Sequence, residues 1–132
     1  VTGSSRGICR EIALASAKED AKVCANYFSS KEDGSIGGEA IMTKVDVSNK
    51  QEVERMFEEV VNKFSKIDIL VNNARIFYRN SILSLDEEKL DAMRRVNVKG
   101  AIYCICEAVK HMIKRCYGKI MNTSRTAAIG TA

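Results

Sequence analysis

The clearest periodicity in the chain is Val53, Met56, Phe57, Val60, Val61 and Phe64, apolar at i, i+3, i+4, i+7, i+8 and i+11. That spacing turns one face of a helix to a core. Ser48-Asn49-Lys50-Gln51 precedes it as a capping box, which predicts a helix start with Ser48 as the cap. A second, longer stripe runs through Leu90, Met93, Val98, Ile102, Cys106, Val109 and Ile113 to about Arg115. Ser84-Leu85-Asp86-Glu87 opens it by the same box, and Gly118 closes it. A shorter helix is predicted over 8–18, with Ile8, Ile12 and Ala15 inward; Asp20 just after it must take a left-handed turn. Between these helices lie short apolar runs at 22–27, 40–45, 67–71 and 119–124, read as strands. Residues 76–83 read as a loop.

Alternation of strand and helix predicts an α/β fold, a three-layer doubly wound parallel sheet, over one domain spanning 1–132. One connection breaks the pattern. Between the strands 22–27 and 40–45, only ten residues, 29–38, with Gly34, Gly37 and Gly38 among them, separate Phe28 from Glu39. A crossover normally carries a helix and takes at least about 10–12 residues, so this link has no room for one and should leave a sheet face bare and the fold weakened.

The motifs gather at the carboxyl ends of the predicted strands, where open parallel sheets bind ligands. Val1 runs straight into Thr2-Gly3-Ser4-Ser5-Arg6-Gly7-Ile8-Cys9, where glycines and small hydroxyls ahead of a helix make a phosphate cradle. Asn26-Tyr27 with Ser29 and Ser30, Asp46-Val47, Asn72-Asn73-Ala74-Arg75 and Ser124-Arg125 occupy the other strand ends.

The first of these resembles the TGxxxGxG segment of the short-chain dehydrogenase/reductase family (a Rossmann fold), and Arg6 resembles its 3-oxoacyl-[acyl-carrier-protein] reductase branch. Cys9 stands where the pattern has its last glycine. The resemblance covers the whole chain except the short link, where family members carry a helix. It implies that Gly3, Ser5, Arg6, Gly7 and Ile8 line the cofactor's phosphates. Asp46 would accept from the adenine amino group, Val47 would pack on the ring, and Asn73-Ala74 would support a ribose. An acid after the second strand favours NAD; here Asn26, Tyr27, Ser29, Ser30 and Arg6 suit the 2′-phosphate of NADP, with NAD the weaker fit.

The chemistry implied is hydride transfer between nicotinamide and a small-molecule carbonyl or alcohol. A tyrosine gives the proton, a lysine lowers its pKa, a serine binds the reacting oxygen, and an asparagine holds a relay water. Asn97 matches that asparagine. Arg125 takes the serine's place, leaving Ser124 as a substitute only by a register slip. The resemblance puts the YxxxK pair beyond Ala132; Tyr78, Tyr103 and Tyr117 have no lysine four residues on. With one residue left of the first strand, the chain is expected to be a fragment, inactive alone. Arg75, in place of another family glycine, should crowd the cofactor's floor, and Cys9 at a helix N-terminus could have a lowered pKa. The competing expectation is a non-catalytic nucleotide-binding or subunit-interaction module that associates through Ile102, Cys106 and Val109, since family members are homo-oligomers.

Composition narrows this little. The net charge of +4 is spread among interspersed acids, which argues against nucleic acid as a partner, and no apolar run is long enough for a membrane span. A cytoplasmic protein is expected. Five cysteines without a CxxC, and one histidine, His111, read as reduced core thiols and a surface residue, with no metal site.

Overall fold

A computed structural model of the chain describes residues 1–4, 7–28, 36, 38–79 and 81–124. Helix α1 (Gly7–Lys18) is followed by strands β1 (Val23–Tyr27) and β2 (Ala40–Lys44), and helix α2 (Lys50–Phe64) by strand β3 (Ile69–Asn72). A 3-10 turn (Ile82–Ser84) leads into helix α3 (Glu87–Arg94), a π-helical turn (Arg95–Gly100), helix α4 (Ala101–Ile113) and strand β4 (Lys119–Asn122).

The strands form two parallel pairs. In the first, Val23 lies opposite Ala40 and Tyr27 opposite Lys44; in the second, Ile69 lies opposite Lys119 and Asn72 opposite Asn122. Val23 N donates to Glu39 O and Val45 N to Tyr27 O, so the odd residues of β1 bond to β2. The even residues face the other way, where Val1 lies: its amine donates to Cys24 O at 2.8 Å and its carbonyl accepts from Asn26 N at 3.0 Å. One residue later, Thr2 N donates to Val71 O of β3 at 3.0 Å. Val1 and Thr2 thus form the rung that joins the pairs.

Helices cover both faces, as the α/β reading requires. Val23 and Ala25 pack with Ala13 and Ala17 of α1, whereas Cys24 packs on the cluster that holds α2 and α4. Successive side chains of a strand point to opposite faces, so α1 lies on one side and α2 with α4 on the other. Val53, Met56, Phe57, Leu70, Cys104, Ala108 and Met112 make the larger core. Most of the short link lies outside the described residues, but its Ile36 is buried against Ala13, Ala17, Val23 and Ala25 and covers part of the face expected to be bare.

Several local expectations shift. The cap of α2 is Asn49 rather than Ser48: Asn49 Oδ1 accepts from Gln51 N and Glu52 N, and Glu52 reaches back to Asn49 Nδ2. Asp86, not Ser84, caps α3, accepting from Lys89 N. Asp20 does take the left-handed turn, at φ 58°. In α1 the buried stripe is Cys9, Ala13 and Ala17, while Ile8 is 68% exposed; small side chains let the helix sit close on the sheet.

In α4 the stripe is displaced as well. Cys104, Ala108 and Met112 face the core, and Ile102, Cys106 and Ile113 are exposed. The π turn adds a residue to the helical repeat, so a single 3.6-residue stripe drawn through Leu90 and Ile113 changes face there. Gly100, at the end of that turn, allows the closest approach: a Cβ there would lie 2.8 Å from Val47 Cγ2.

The cysteines divide. Cys9 and Cys104 are buried and Cys24 is half-buried, but Cys106 and Cys116 are exposed, so the expectation of mostly core thiols holds for three of five. Burial pushes the Cys104 thiol up to about 12, which keeps it protonated at every pH below that range. Iodoacetamide at pH 8 should therefore alkylate Cys106 and Cys116 in the native protein, and Cys104 only after denaturation. Native labelling of Cys104 at the rate of Cys106, read by peptide mass spectrometry, would contradict this packing.

Candidate functional site

The loop after Val1 is fixed by side chains from two strand ends. Thr2 is 3% exposed, and its Oγ1 accepts from both Asn73 N and Ala74 N at 3.0 Å. Gly3 has φ +72°, and a Cβ on it would lie 2.8 Å from Ala74 Cα, so only glycine closes this contact. Ser4 Oγ donates to Val1 O and Ser4 N to Asn26 O, which folds the loop back over β1. Gly7 then opens α1 at φ +60°, and a Cβ there would meet nothing within 4 Å. The first turn of α1, with its free N–H groups, therefore looks onto open space in the manner of an anion cradle. Ile8 is exposed beside it. Ser5, Arg6 and Ser29 lie outside the described residues, as does Ser30.

The asparagines are expected to face a ligand; the side chains of Asn26 and Asn97 bond the backbone, and that of Asn73 bonds Cys9. Asn26 is 2% exposed; its Oδ1 accepts from Gly3 N and its Nδ2 donates to Val45 O at 2.9 Å. Its side chain ties the loop to both strands. Asn73 is buried, with Nδ2 donating to Cys9 Sγ. Asn97 lies within the π turn, where Oδ1 accepts from Ile76 N and Nδ2 donates to Ile76 O, both at 2.9 Å. That two-point grip holds the segment after Ala74 against the helix. Single-turn π bulges recur at functional positions.

The Cys9 thiol does not follow the helix-terminus expectation. Burial is the largest influence and pushes its pKa up, against a backbone hydrogen bond and the positive charge of Arg75, which act the other way. A buried, protonated thiol at this place is packing. Asp46 is half-buried; its Oδ1 accepts from Ser48 N, and among the described residues its other oxygen has no partner. Val47 is 5% exposed and packed under Gly100. Tyr27 is half-buried at the end of β1.

Below the cradle lies a cavity of about 490 Å³. Thr2, Asn73, Ala74, Asn97 and Ser124 line it, so the elements carrying the cradle, the π turn and the end of β4 meet in one place. Ser124 lines it next to Thr123, whose N–H donates to Asn72 O; Arg125 lies outside the described residues. Sequence reasoning missed the pair Asn72 and Asn122, which face each other across β3 and β4 with Nδ2 to Oδ1 at 3.0 Å. Asn72 is 6% exposed, and its buried Oδ1 has no partner among the described residues. Two asparagines at the same depth of predicted parallel strands were the signal. The YxxxK spacing does occur once, at Tyr27 and Lys31, but Tyr27 is away from this cavity and Lys31 lies outside the described residues.

Among the described residues no group of three or more metal-ligand side chains comes together, and no helix is long and apolar enough to cross a membrane.

Comparison with known proteins gives one answer. The family model described as short chain dehydrogenase matches residues 1–131. The 3-oxoacyl-[acyl-carrier-protein] reductase FabG of Staphylococcus aureus is 39% identical over 132 residues, covering 94% of this chain and 54% of its own length. The 3-oxoacyl-[acyl-carrier-protein] reductase of Synechocystis is 36% identical over 137 residues, covering 98% and 56%. The solved short-chain dehydrogenase/reductase from Serratia marcescens superposes with a TM-score of 0.83 at 29% identity, covering 98% of this chain and 58% of that one. A double mutant of the Serratia protein reaches 0.85 at 28% identity, with 96% and 54% covered. The chain spans about half the length of the curated relatives it matches.

The Thr2 hydroxyl yields a direct test. Thr2→Val keeps the shape but leaves the buried Asn73 and Ala74 amides unpaired, each worth about 1–3 kcal/mol. Thr2→Ser keeps the acceptor and should cost about 1 kcal/mol or less for the lost methyl. Chemical denaturation of the two variants should separate them by at least about 1 kcal/mol; equal stabilities would refute the two-amide role.

Proposed function

The chain belongs to the short-chain dehydrogenase family, and on that footing we propose that it forms the dinucleotide-binding part of an NADP-dependent oxidoreductase that reduces a small carbonyl compound, a 3-oxoacyl thioester or similar, to an alcohol. The observation that carries this reading is the cradle: Gly3 pressed on Ala74 at a separation that excludes a Cβ, with Gly7 open to space above the first turn of α1.

In this reading Gly3, Gly7 and Ile8, with Ser5 and Arg6, take the phosphates. The unpartnered oxygen of Asp46 accepts from the adenine amino group, Val47 backs the ring and Asn73-Ala74 carry a ribose. Tyr27, Ser29 and Arg6 surround the 2′-phosphate. Asn26 acts at one remove, holding Gly3 in place. Nicotinamide, when bound, supplies the hydride. The chain's own residues then orient the carbonyl: Ser124 offers a hydroxyl to the reacting oxygen, and Asn97 fixes the backbone of Ile76 along the cavity wall. None of the described tyrosines lines the cavity, so the 132 residues alone hold cofactor without giving up a proton.

A second reading, a non-catalytic nucleotide-binding or interaction module, draws support from α4, whose outward Ile102, Cys106 and Ile113 suit packing against another subunit. Homo-oligomerisation is compatible with both. Free thiols throughout the described residues suit a cytoplasmic setting.

Calorimetry should find NADPH bound more tightly than NADH by roughly ten- to a hundredfold, the worth of one charge-assisted hydrogen bond of ~1.5–3 kcal/mol. Arg6→Ala should remove the difference. Equal affinities in the unmodified chain would refute the 2′-phosphate assignment. With an acetoacetyl thioester and NADPH, the 132-residue chain should show no turnover above a protein-free control, and turnover would refute the missing-donor argument.

A further inference from the structure

Arg75 follows Ala74 directly, after a strand end that is otherwise neutral: Asn72, Asn73 and Ala74 carry no charge. Among the described residues that line the 490 Å³ cavity, Arg75 is the one charged side chain, and no carboxylate ion-pairs with it. Arg10, Arg94 and Arg115 pair with acids; Arg75 shares its lack of an ion pair with Arg55, Arg79 and Arg95, and differs from them in lining the cavity.

Its position is defined from two sides. Gly3 packs so closely on Ala74 that a Cβ on it would lie 2.8 Å from Ala74 Cα, and Arg75, the next residue, lines the cavity with an exposed side chain. Asn73, two residues before it, donates to Cys9 Sγ in the first turn of α1, and Ala74 packs on Gly3, so the segment that carries the guanidinium adjoins the cradle. A cation carried next to a helix N-terminus adds to the positive potential there and favours an anion. A planar guanidinium fits phosphate with two parallel hydrogen bonds.

We propose that Arg75 is a phosphate-binding residue of the cradle, contacting the pyrophosphate of the bound dinucleotide. The position expected to obstruct the cofactor then adds a charge contact to it. This inference rests on the dinucleotide-binding reading and adds a residue to that site.

The two roles predict opposite signs, which makes the test decisive. Binding of NADPH, ADP and adenosine is measured by calorimetry for the unmodified chain, Arg75→Gln, Arg75→Lys and Arg75→Gly, each checked for an unchanged thermal transition. Arg75→Gln should weaken NADPH and ADP about tenfold or more, the effect of one lost charge-assisted hydrogen bond, and leave adenosine unchanged. Arg75→Lys should retain part of the affinity. The dependence of log Kd on log salt should be shallower in Arg75→Gln, because one cation fewer meets the phosphates. Tighter NADPH binding by Arg75→Gly would mean that the side chain obstructs, and would overturn the proposal. Equal ADP binding by the unmodified chain and Arg75→Gln would overturn it while leaving the dinucleotide reading intact. An unmodified chain that binds neither NADPH nor ADP would overturn both.

Discussion

Two parallel strand pairs meet across the backbone of Val1 and Thr2. A lone pair of strands is marginal in water, and three or more with a covered face are needed for independent stability. Val1 bonds to β1 on one side and Thr2 to β3 on the other, so this one rung converts two marginal ribbons into one sheet. The same two residues begin the cradle, and the Thr2 hydroxyl holds the amides of Asn73 and Ala74. Sheet continuity and cradle shape therefore rest on one set of hydrogen bonds. Whatever loosens the sheet there also opens the site.

The polar residues at the strand ends show a division of labour. Asn26, Asn73 and Asn97 each spend the side-chain amide on the protein itself: on Gly3 and Val45, on Cys9, and on Ile76. Buried amides left without partners are expensive, so a site lined with asparagine must first satisfy them internally. Beside them the cavity is lined mostly by apolar side chains, among them Val47, Ile76, Val98, Ile102 and Ile105, with the hydroxyls of Thr2, Thr123 and Ser124. Arg75 differs from these in lining the cavity with an exposed, charged side chain that has no ion-pair partner among the described residues.

Strand and helix order, the parallel sheet, the glycine turn at the first helix and the convergence of motifs at one sheet edge were legible from the sequence, because hydrophobic period and glycine placement report local geometry directly. Helix faces were less so. Ile8 and Ile102 are large and apolar yet exposed, while Ala13, Ala17 and Ala108 are buried, because close helix-to-sheet packing selects small side chains that a hydrophobicity pattern undervalues. Caps moved by one or two residues because Asn49 and Asp86 compete with nearby serines for the same amides. Asn26 read as a ligand contact since its type and place suit one; only the bond from Gly3 N reveals its inward turn. The join between Asn72 and Asn122 depends on strand register, which no single segment encodes.

The π turn at Arg95–Gly100 amounts to one surplus residue in an otherwise regular helix. Excising it would rotate all that follows by about 100° relative to the sheet, given 3.6 residues per turn. The inward places of Cys104, Ala108 and Met112 would then pass to Ile105, Val109 and Ile113. Those bulkier side chains would hold the helix off the sheet at the point where Gly100 rests on Val47. The extra residue thus sets the phase of α4, placing Cys104, Ala108 and Met112 in the interior, Ile105 and Val109 at its border and Ile113 outside. An insertion that reads as a local irregularity decides which half of an amphipathic helix the molecule keeps for itself.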